Sequence, residues 1–392
     1  MTIIAEKHGQ IAGILDENDV DLWLIFVRET AVHSDPILPL VTEFDVVWPS
    51  FFLFTRRGDS MAIVGHLDAA DFERSGHFSR VIGYEKGVGA TIRRLIEEIK
   101  PKRIAVNYSR DIPSADGLTH GLYLLLCDYL KDSPFSDRLV SAESVCSSLR
   151  GRKTEMETEN LRQAAIIAHQ AWERAVSRIR TGLSEIEIAG IVQEELQALD
   201  AAPSFTTIVN AGAKTTPGHG HPTAAILEPG DLLHIDMGAR YNGYCSDIQR
   251  LLYIKKTGEN GLPKDLIRAF ETVRDIITEA AQATRAGLPG VDIDALARRR
   301  LTELGYPEYR HALGHQLGRG VHDGGALIGP LWEQYGQSTS RLLENDNVFT
   351  LELEITLPGI GCVGLEEDVV IASAGTRFLS PRQLNLVVKD SD

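Results

Sequence analysis

At 392 residues the chain is longer than one hydrophobic core ordinarily organises, so two domains are expected. Apolar residues make up 43% and charged residues 24%, the composition of a globular protein with a sizeable core; no apolar run approaches the roughly 20 residues that span a bilayer. A formal net charge of −15 argues against nucleic acid and anionic lipid as partners, and the start, Met1-Thr2-Ile3-Ile4-Ala5-Glu6-Lys7, lacks the apolar core of a secretory leader.

The four cysteines, Cys127, Cys146, Cys245 and Cys362, form neither a CxxC pair nor a disulfide framework, which suits a reducing compartment; a cytoplasmic protein is expected. Along residues 1–152 strand and helix patterns alternate. Asp21 to Val27 reads as a buried strand. Phe51 to Thr55 and Ser60 to Val64 read as a hairpin around Arg56-Arg57-Gly58-Asp59. Ala90 to Ile99 has apolar residues at helical spacing, and Arg103 to Val106 is a short strand, so this part is expected to be an α/β layer domain. The basic stretch Arg150-Gly151-Arg152-Lys153 marks the junction to a second domain, 153–392.

That second part opens with a long helix, Thr154 to Arg180, whose Thr154-Glu155-Met156-Glu157 start suits an N-cap with Glu at N3. A second helix is expected over Ser184 to Leu199. Leu232 to Asp236 follows a Pro229-Gly230-Asp231 turn as a strand, and Tyr244 to Ile254 is the next. Lys264 to Thr284 and Val291 to Leu304 read as helices. Val348 to Leu357 and Leu365 to Ile371 read as strands joined across Pro358-Gly359-Ile360-Gly361. A sheet flanked by helices, an α+β domain, is predicted.

The chemistry lies on these strands. An antiparallel hairpin would set Asp236 beside Asp247, and two close carboxylates in an apolar sheet repel unless a cation neutralises them; the alternative is a turn cap and a surface residue. Gly314-His315-Gln316-Leu317-Gly318-Arg319-Gly320-Val321-His322-Asp323 offers two imidazoles in a Gly-rich stretch, with His311 just before it. Glu352 and Glu366 are embedded among Leu, Val and Ile, where a carboxylate is costly unless paired or bound to metal. Strand alternation groups Glu352 with Glu354 and Glu366 with Asp368, and turns Glu367 to the other side. Glu366 is therefore preferred as the inward residue, and Glu354 and Glu367 are read as solvated strand positions. Four carboxylates and one imidazole are too acidic a set for a structural zinc site; they suit two neighbouring divalent ions.

The order Asp236, Asp247, His315, Glu352, Glu366, with ten residues between the two aspartates, resembles the metal-binding pattern of the M24 "pita-bread" peptidases, which include methionine aminopeptidase, aminopeptidase P and prolidase. The matching segments are Gly230 to Gly238, Tyr244 to Arg250, Gly314-His315 with His322, Phe349 to Glu352, and Glu366 to Ile371. The amino-terminal half is similar to the creatinase/prolidase amino-terminal domain, which points to the Xaa-Pro dipeptidase and aminopeptidase P branch. The resemblance implies a pita-bread catalytic domain over 153–392 behind a smaller α/β domain over 1–152. It implies two divalent ions, manganese first, with cobalt, zinc or iron tolerated by the same residues, and hydrolysis of Xaa-Pro bonds in dipeptides or short proline-containing peptides. Asp247 and Glu366 would bridge the ions, Asp236 would complete one, and His315 with Glu352 the other. Glu352 would take the proton of the attacking water. His219, with His221 as its rival, and His322 would contact substrate, His322 at the oxyanion. A dimer or tetramer formed through the first domain is also implied, a homodimer first.

Three stretches depart from the family pattern: Gln316 where Gly follows the metal-binding His, Leu353-Glu354 where Pro-Gly follows the first Glu, and Gly364 where Arg stands two residues before the last Glu. The Leu and Gly changes are expected to alter the pocket wall and the substrate more than the hydrolytic machinery. A cation for a substrate carboxylate would then come from Arg310, His311, Arg319 or Arg341. The alternatives are a hydrolase or lyase on the same frame acting on a non-peptide C–N substrate, and an inactive binding protein, which the retention of all five residues disfavours.

Overall fold

Strand β1 (Leu22–Val27) has every residue buried and sits inside a six-stranded sheet, as an unbroken apolar run requires. The computed structural model describes residues 2–214 and 220–391, which divide into two units, Met1–Thr154 and Glu155–Asp392. In the first unit β1 pairs antiparallel with β2 (Ser50–Thr55), and β2 with β3 (Ser60–Gly65). Strands β4 (Arg80–Tyr84), β5 (Ile104–Val106) and β6 (Leu139–Ser141) add in parallel, giving the order β4-β3-β2-β1-β5-β6. Helices α1 (Ile3–Glu17), α2 (Ala69–Ser75), α3 (Gly89–Ile99), α4 (His120–Leu130) and α5 (Glu143–Gly151) cover the sheet. Two separate apolar clusters result. One gathers Ile11, Trp23, Ile25 and Phe52; the other gathers Leu24, Phe51, Ile92 and Leu126.

The basic junction is tightly held. Lys7 is fully buried, and its ammonium donates to the carbonyls of Leu149 at 2.7 Å and Arg152 at 2.8 Å. Those are C-terminal helix carbonyls left free by the end of α5, which a cation satisfies.

The second unit begins with α6 (Glu155–Arg178) and α7 (Glu185–Ala198). Ser184 caps α7 with a reciprocal Ser–Glu187 box. Then follow β7 (Ala202–Pro203), β8 (Ile208–Ala211), β9 (Leu232–Met237), β10 (Ala239–Tyr241), β11 (Tyr244–Cys245) and β12 (Ile248–Lys255). Helices α8 (Lys264–Ala283) and α9 (Gly290–Glu303) precede the hairpin β13 (Val348–Leu357) and β14 (Gly361–Ala372), with β15 (Gly375–Phe378) and β16 (Val387–Asp390) last. The main sheet runs β13-β14-β12-β9-β8, with β15 on β14 and β16 parallel beside the far end of β12. Apolar side chains of β13 and β14 pack against α8 and α9, and those of β9 and β12 against α6 and α7. With the α/β unit before it, this is the α+β pita-bread architecture.

Two expectations are corrected here. The strand expected over Tyr244 to Ile254 is broken at Ser246-Asp247. The chain crosses Gly238 so closely that a Cβ there would sit 1.9 Å from the Ser246 carbonyl oxygen, and the Ser246 hydroxyl accepts from Ala239 N at 3.0 Å. Glu367 is not solvated. It is 2% exposed and ion-paired at 3.0 Å with Arg250, itself fully buried. Alternation does turn it away from Glu366, but that side of the sheet is covered by helices. Glu354 is half-buried and accepts from the Cys362 thiol at 3.3 Å.

Candidate metal centre

One row across the main sheet carries the polar side chains. Ile208 pairs with Asp236, Asp236 with Gln249, Gln249 with Glu366, and Glu366 with Glu352. Directly paired residues point to the same side of a sheet, so Asp236, Gln249, Glu366 and Glu352 line one surface although more than a hundred residues separate the first from the last. Asp247 reaches the same place from the break before β12, where its backbone N–H meets Asp368 at 3.4 Å.

His315 is brought in by a segment that lies along β13. Leu317 N donates to Val348 O at 3.0 Å, Thr350 N to His315 O at 2.9 Å, and Glu352 N to Leu313 O at 2.7 Å. A Cβ on residue 314 would sit 2.0 Å from Thr350 O, so this approach requires Gly314. Upstream, buried Asp294 of α9 accepts from Tyr309 OH at 2.9 Å and Leu313 N at 3.2 Å, while Arg298 donates to Tyr309 O at 2.7 Å. The segment that presents His315 is thereby anchored to a helix.

The result is a cluster. His315 Nε2 lies 3.8 Å from Asp247 Oδ2 and 3.9 Å from both Glu352 Oε1 and Glu366 Oε1. Asp247, His315 and Glu366 each offer a donor atom, all within 4.8 Å of one another. Asp236 lies close enough to Asp247 for the two carboxylates to repel. Burial pushes the Asp236 carboxyl up to about 7 and the Glu352 carboxyl up to about 8, the latter helped by Asp236 and Glu354. Burial and the neighbouring carboxylates raise Asp247 and Glu366 well above the ordinary carboxylate range. Asp236 Oδ1, Asp247 Oδ1 and Glu366 Oε1 are buried and meet no hydrogen-bond donor. Carboxylates crowded this way are either protonated or neutralised by cations, and an oxygen-rich set with one imidazole fits divalent ions of the manganese-to-zinc series.

The other expected residues are placed less uniformly. His322 is exposed, with its ring 4.4 Å from that of His315, centroid to centroid. His219 lies outside the described residues, and His221 is exposed. Among the expected cations, His311 stands beside Glu352, its Nδ1 3.9 Å from Oε2. The Arg319 guanidinium lies over the Tyr244 ring at 5.4 Å, and Arg310 is exposed. Leu353, expected to alter the pocket wall, is instead fully buried in the core against the helices, because alternation turns it away from Glu352. Gln316 is buried too; with its amide oriented to satisfy both neighbours it donates to Gly324 O at 3.1 Å and accepts from Ala326 N at 3.2 Å, bracing that turn. Sequence reasoning missed Gln249, His234 and Asp368, all buried beside the cluster. The signal available was a polar side chain at every second position of apolar strands, His234 before Asp236 and Gln249 after Asp247.

Comparison with known proteins agrees with this geometry. The profile of metallopeptidase family M24 matches residues 159–373. An Xaa-Pro dipeptidase of Pyrococcus horikoshii is 31% identical over 390 residues, covering 99% of this chain and 100% of that protein. Among solved structures, an Xaa-Pro dipeptidase from Bacillus anthracis aligns with a TM-score of 0.77 at 24% identity, covering 98% of this chain and 100% of the other. A prolidase from Pyrococcus horikoshii aligns at 0.71 and 25% identity, over 97% and 100%. Fold and site together define a metallopeptidase. The chain belongs to metallopeptidase family M24.

Proposed function

We propose that this metallopeptidase hydrolyses Xaa-Pro bonds at the free N-terminus of dipeptides or short peptides, using two divalent ions held by Asp236, Asp247, His315, Glu352 and Glu366. The observation that carries the reading is the convergence of His315 Nε2 on Asp247, Glu352 and Glu366 at 3.8–3.9 Å, among buried carboxylate oxygens with no donor. Two bound ions would supply an acidified water and polarise the scissile carbonyl. Glu352 takes the water's proton; its side chain is 20% exposed, more open than those of Asp247, His315 and Glu366. His322, beside His315, donates to the oxygen that becomes negative, and His219 contacts substrate. The Xaa-Pro dipeptidase relative over the full length of the chain supports the substrate class. Manganese, a homodimer and a cytoplasmic setting complete the proposal.

The test is proline release from a panel of Xaa-Pro dipeptides and Xaa-Pro-Yaa tripeptides, with Mn²⁺ and after chelation. Metal-dependent cleavage that disappears in Glu352→Ala supports the reading, and the preferred length separates dipeptidase from aminopeptidase. Two bound metals with no Xaa-Pro cleavage would reject the substrate and turn attention to non-peptide C–N substrates.

A further inference from the structure

Gln249 occupies the centre of the polar row, between Asp236 on one side and Glu366 on the other. Its amide Nε2 donates to Glu366 Oε2 at 2.9 Å and reaches Glu352 Oε2 at 3.4 Å. Its amide Oε1 is 2.9 Å from His234 Nε2, and His234 Nδ1 is 3.2 Å from Asn210 Nδ2. All three side chains are buried.

The donors and acceptors of this chain run in one direction. An amide oxygen can only accept, so His234 carries its proton on Nε2 and donates to Gln249. Its Nδ1 is then the acceptor for the Asn210 amide N–H. With Oε1 committed to His234, the Gln249 NH₂ faces the two glutamates; the opposite amide orientation would set a carbonyl against carboxylate oxygens. The chain has also cleared its own space. A Cβ on residue 364 would sit 2.7 Å from Gln249 Oε1 and 2.8 Å from His234 Nε2, so the glycine opposite Glu354 is what admits both side chains.

We propose that Asn210, His234 and Gln249 form a neutral positioning relay, in which the Gln249 amide fixes the spacing of Glu352 and Glu366 and so sets the occupancy of the metal site those two glutamates share. The inference rests on the dinuclear reading above. Gln249 acts through the carboxylates, as a positioning residue: one NH₂ group bound to two carboxylates holds them at a set separation without adding charge. Groups that orient metal-binding side chains in this way typically control affinity by about 10–100-fold.

The test compares Gln249→Met, which keeps the length and volume of the side chain but has no N–H, with Gln249→Ala and His234→Phe. Mn²⁺ is titrated calorimetrically into each chelated protein, and melting of the metal-free proteins serves as control. The wild-type protein is expected to take up two ions. Gln249→Met should bind the weaker ion about 10-fold or more less tightly, as should Gln249→Ala, while its metal-free melting temperature stays within about 3 °C. His234→Phe should show a smaller loss in the same direction, and it carries the test if neither Gln249 variant folds. With Xaa-Pro substrate at limiting Mn²⁺, kcat should fall while KM changes little, and saturating Mn²⁺ should restore it. Wild-type affinity for both ions in Gln249→Met would overturn the relay and leave the dinuclear reading standing, whereas a wild-type protein that binds no Mn²⁺ would overturn both.

Discussion

Glu352 and Glu366 stand directly opposite each other on β13 and β14, and His315 Nε2 is 3.9 Å from one carboxylate oxygen of each. Paired like charges on neighbouring strands destabilise a sheet by themselves. Here the pairing is kept at the middle of a long apolar hairpin, which is where a cation would recover the cost.

The first prediction is a pH dependence of the metal-free protein. The folded-state carboxyls of Asp236 and Glu352 lie at about 7 and about 8, above their unfolded values of 3.8 and 4.5. Between those limits the folded chain binds protons the unfolded chain has released, so stability falls as pH rises. After chelation the melting temperature should drop by several degrees between about pH 5 and about pH 8. Added Mn²⁺ should restore more stability at the higher pH, because binding releases protons. A chelated protein whose melting temperature is flat or rises over that range would contradict the crowded-carboxylate account.

Removing one member of the buried Arg250–Glu367 pair should be costly. Glu367→Leu leaves a fully buried guanidinium without its carboxylate and should lose about 3–5 kcal/mol in urea denaturation. The double variant Arg250→Met, Glu367→Leu should lose much less than the sum of the single changes. Additive losses would mean that the two side chains are not coupled.

Gly314→Ala should act at the centre without changing any polar side chain. Its Cβ would meet Thr350 O at 2.0 Å, and the segment carrying His315 would have to move off β13. A loss of about 1–3 kcal/mol in stability is expected, together with weaker metal binding. Mn²⁺ titration beside urea denaturation checks it; unchanged affinity would show that the alignment of Leu313 to Leu317 on β13 does not position His315.

His322→Ala should leave metal stoichiometry intact and lower kcat by about 100–1000-fold with little change in KM, if the ring donates to the developing oxyanion. Steady-state kinetics on an Xaa-Pro dipeptide decide it. A variant within twofold of wild type would assign the exposed ring no catalytic part.

Much of the candidate site was legible in the residues themselves. Acidic residues in apolar strands marked Asp236, Asp247, Glu352 and Glu366, and strand alternation, with the resemblance to the family's acidic run, favoured Glu366 over Glu367. Helix and strand positions followed from local period: α7 begins one residue after Ser184, and β13 spans Val348–Leu357, as its apolar pattern indicates. These are properties of neighbours along the chain, which local periodicity encodes. What lay beyond the sequence depends on which distant surfaces meet. Alternation said that Glu367 faces away from the site, but only packed helices decided that this side is core, so that Glu367 needs Arg250 and Leu353, expected at the pocket wall, joins an apolar cluster instead. Likewise nothing near Gln249 in sequence reveals Glu352 or Glu366; the register between β12, β14 and β13 brings them together. The sequence by itself named the side chains proposed to bind a cation and the strand face each should occupy. Tertiary structure decided their company, because cross-strand pairing joins residues that no local period relates.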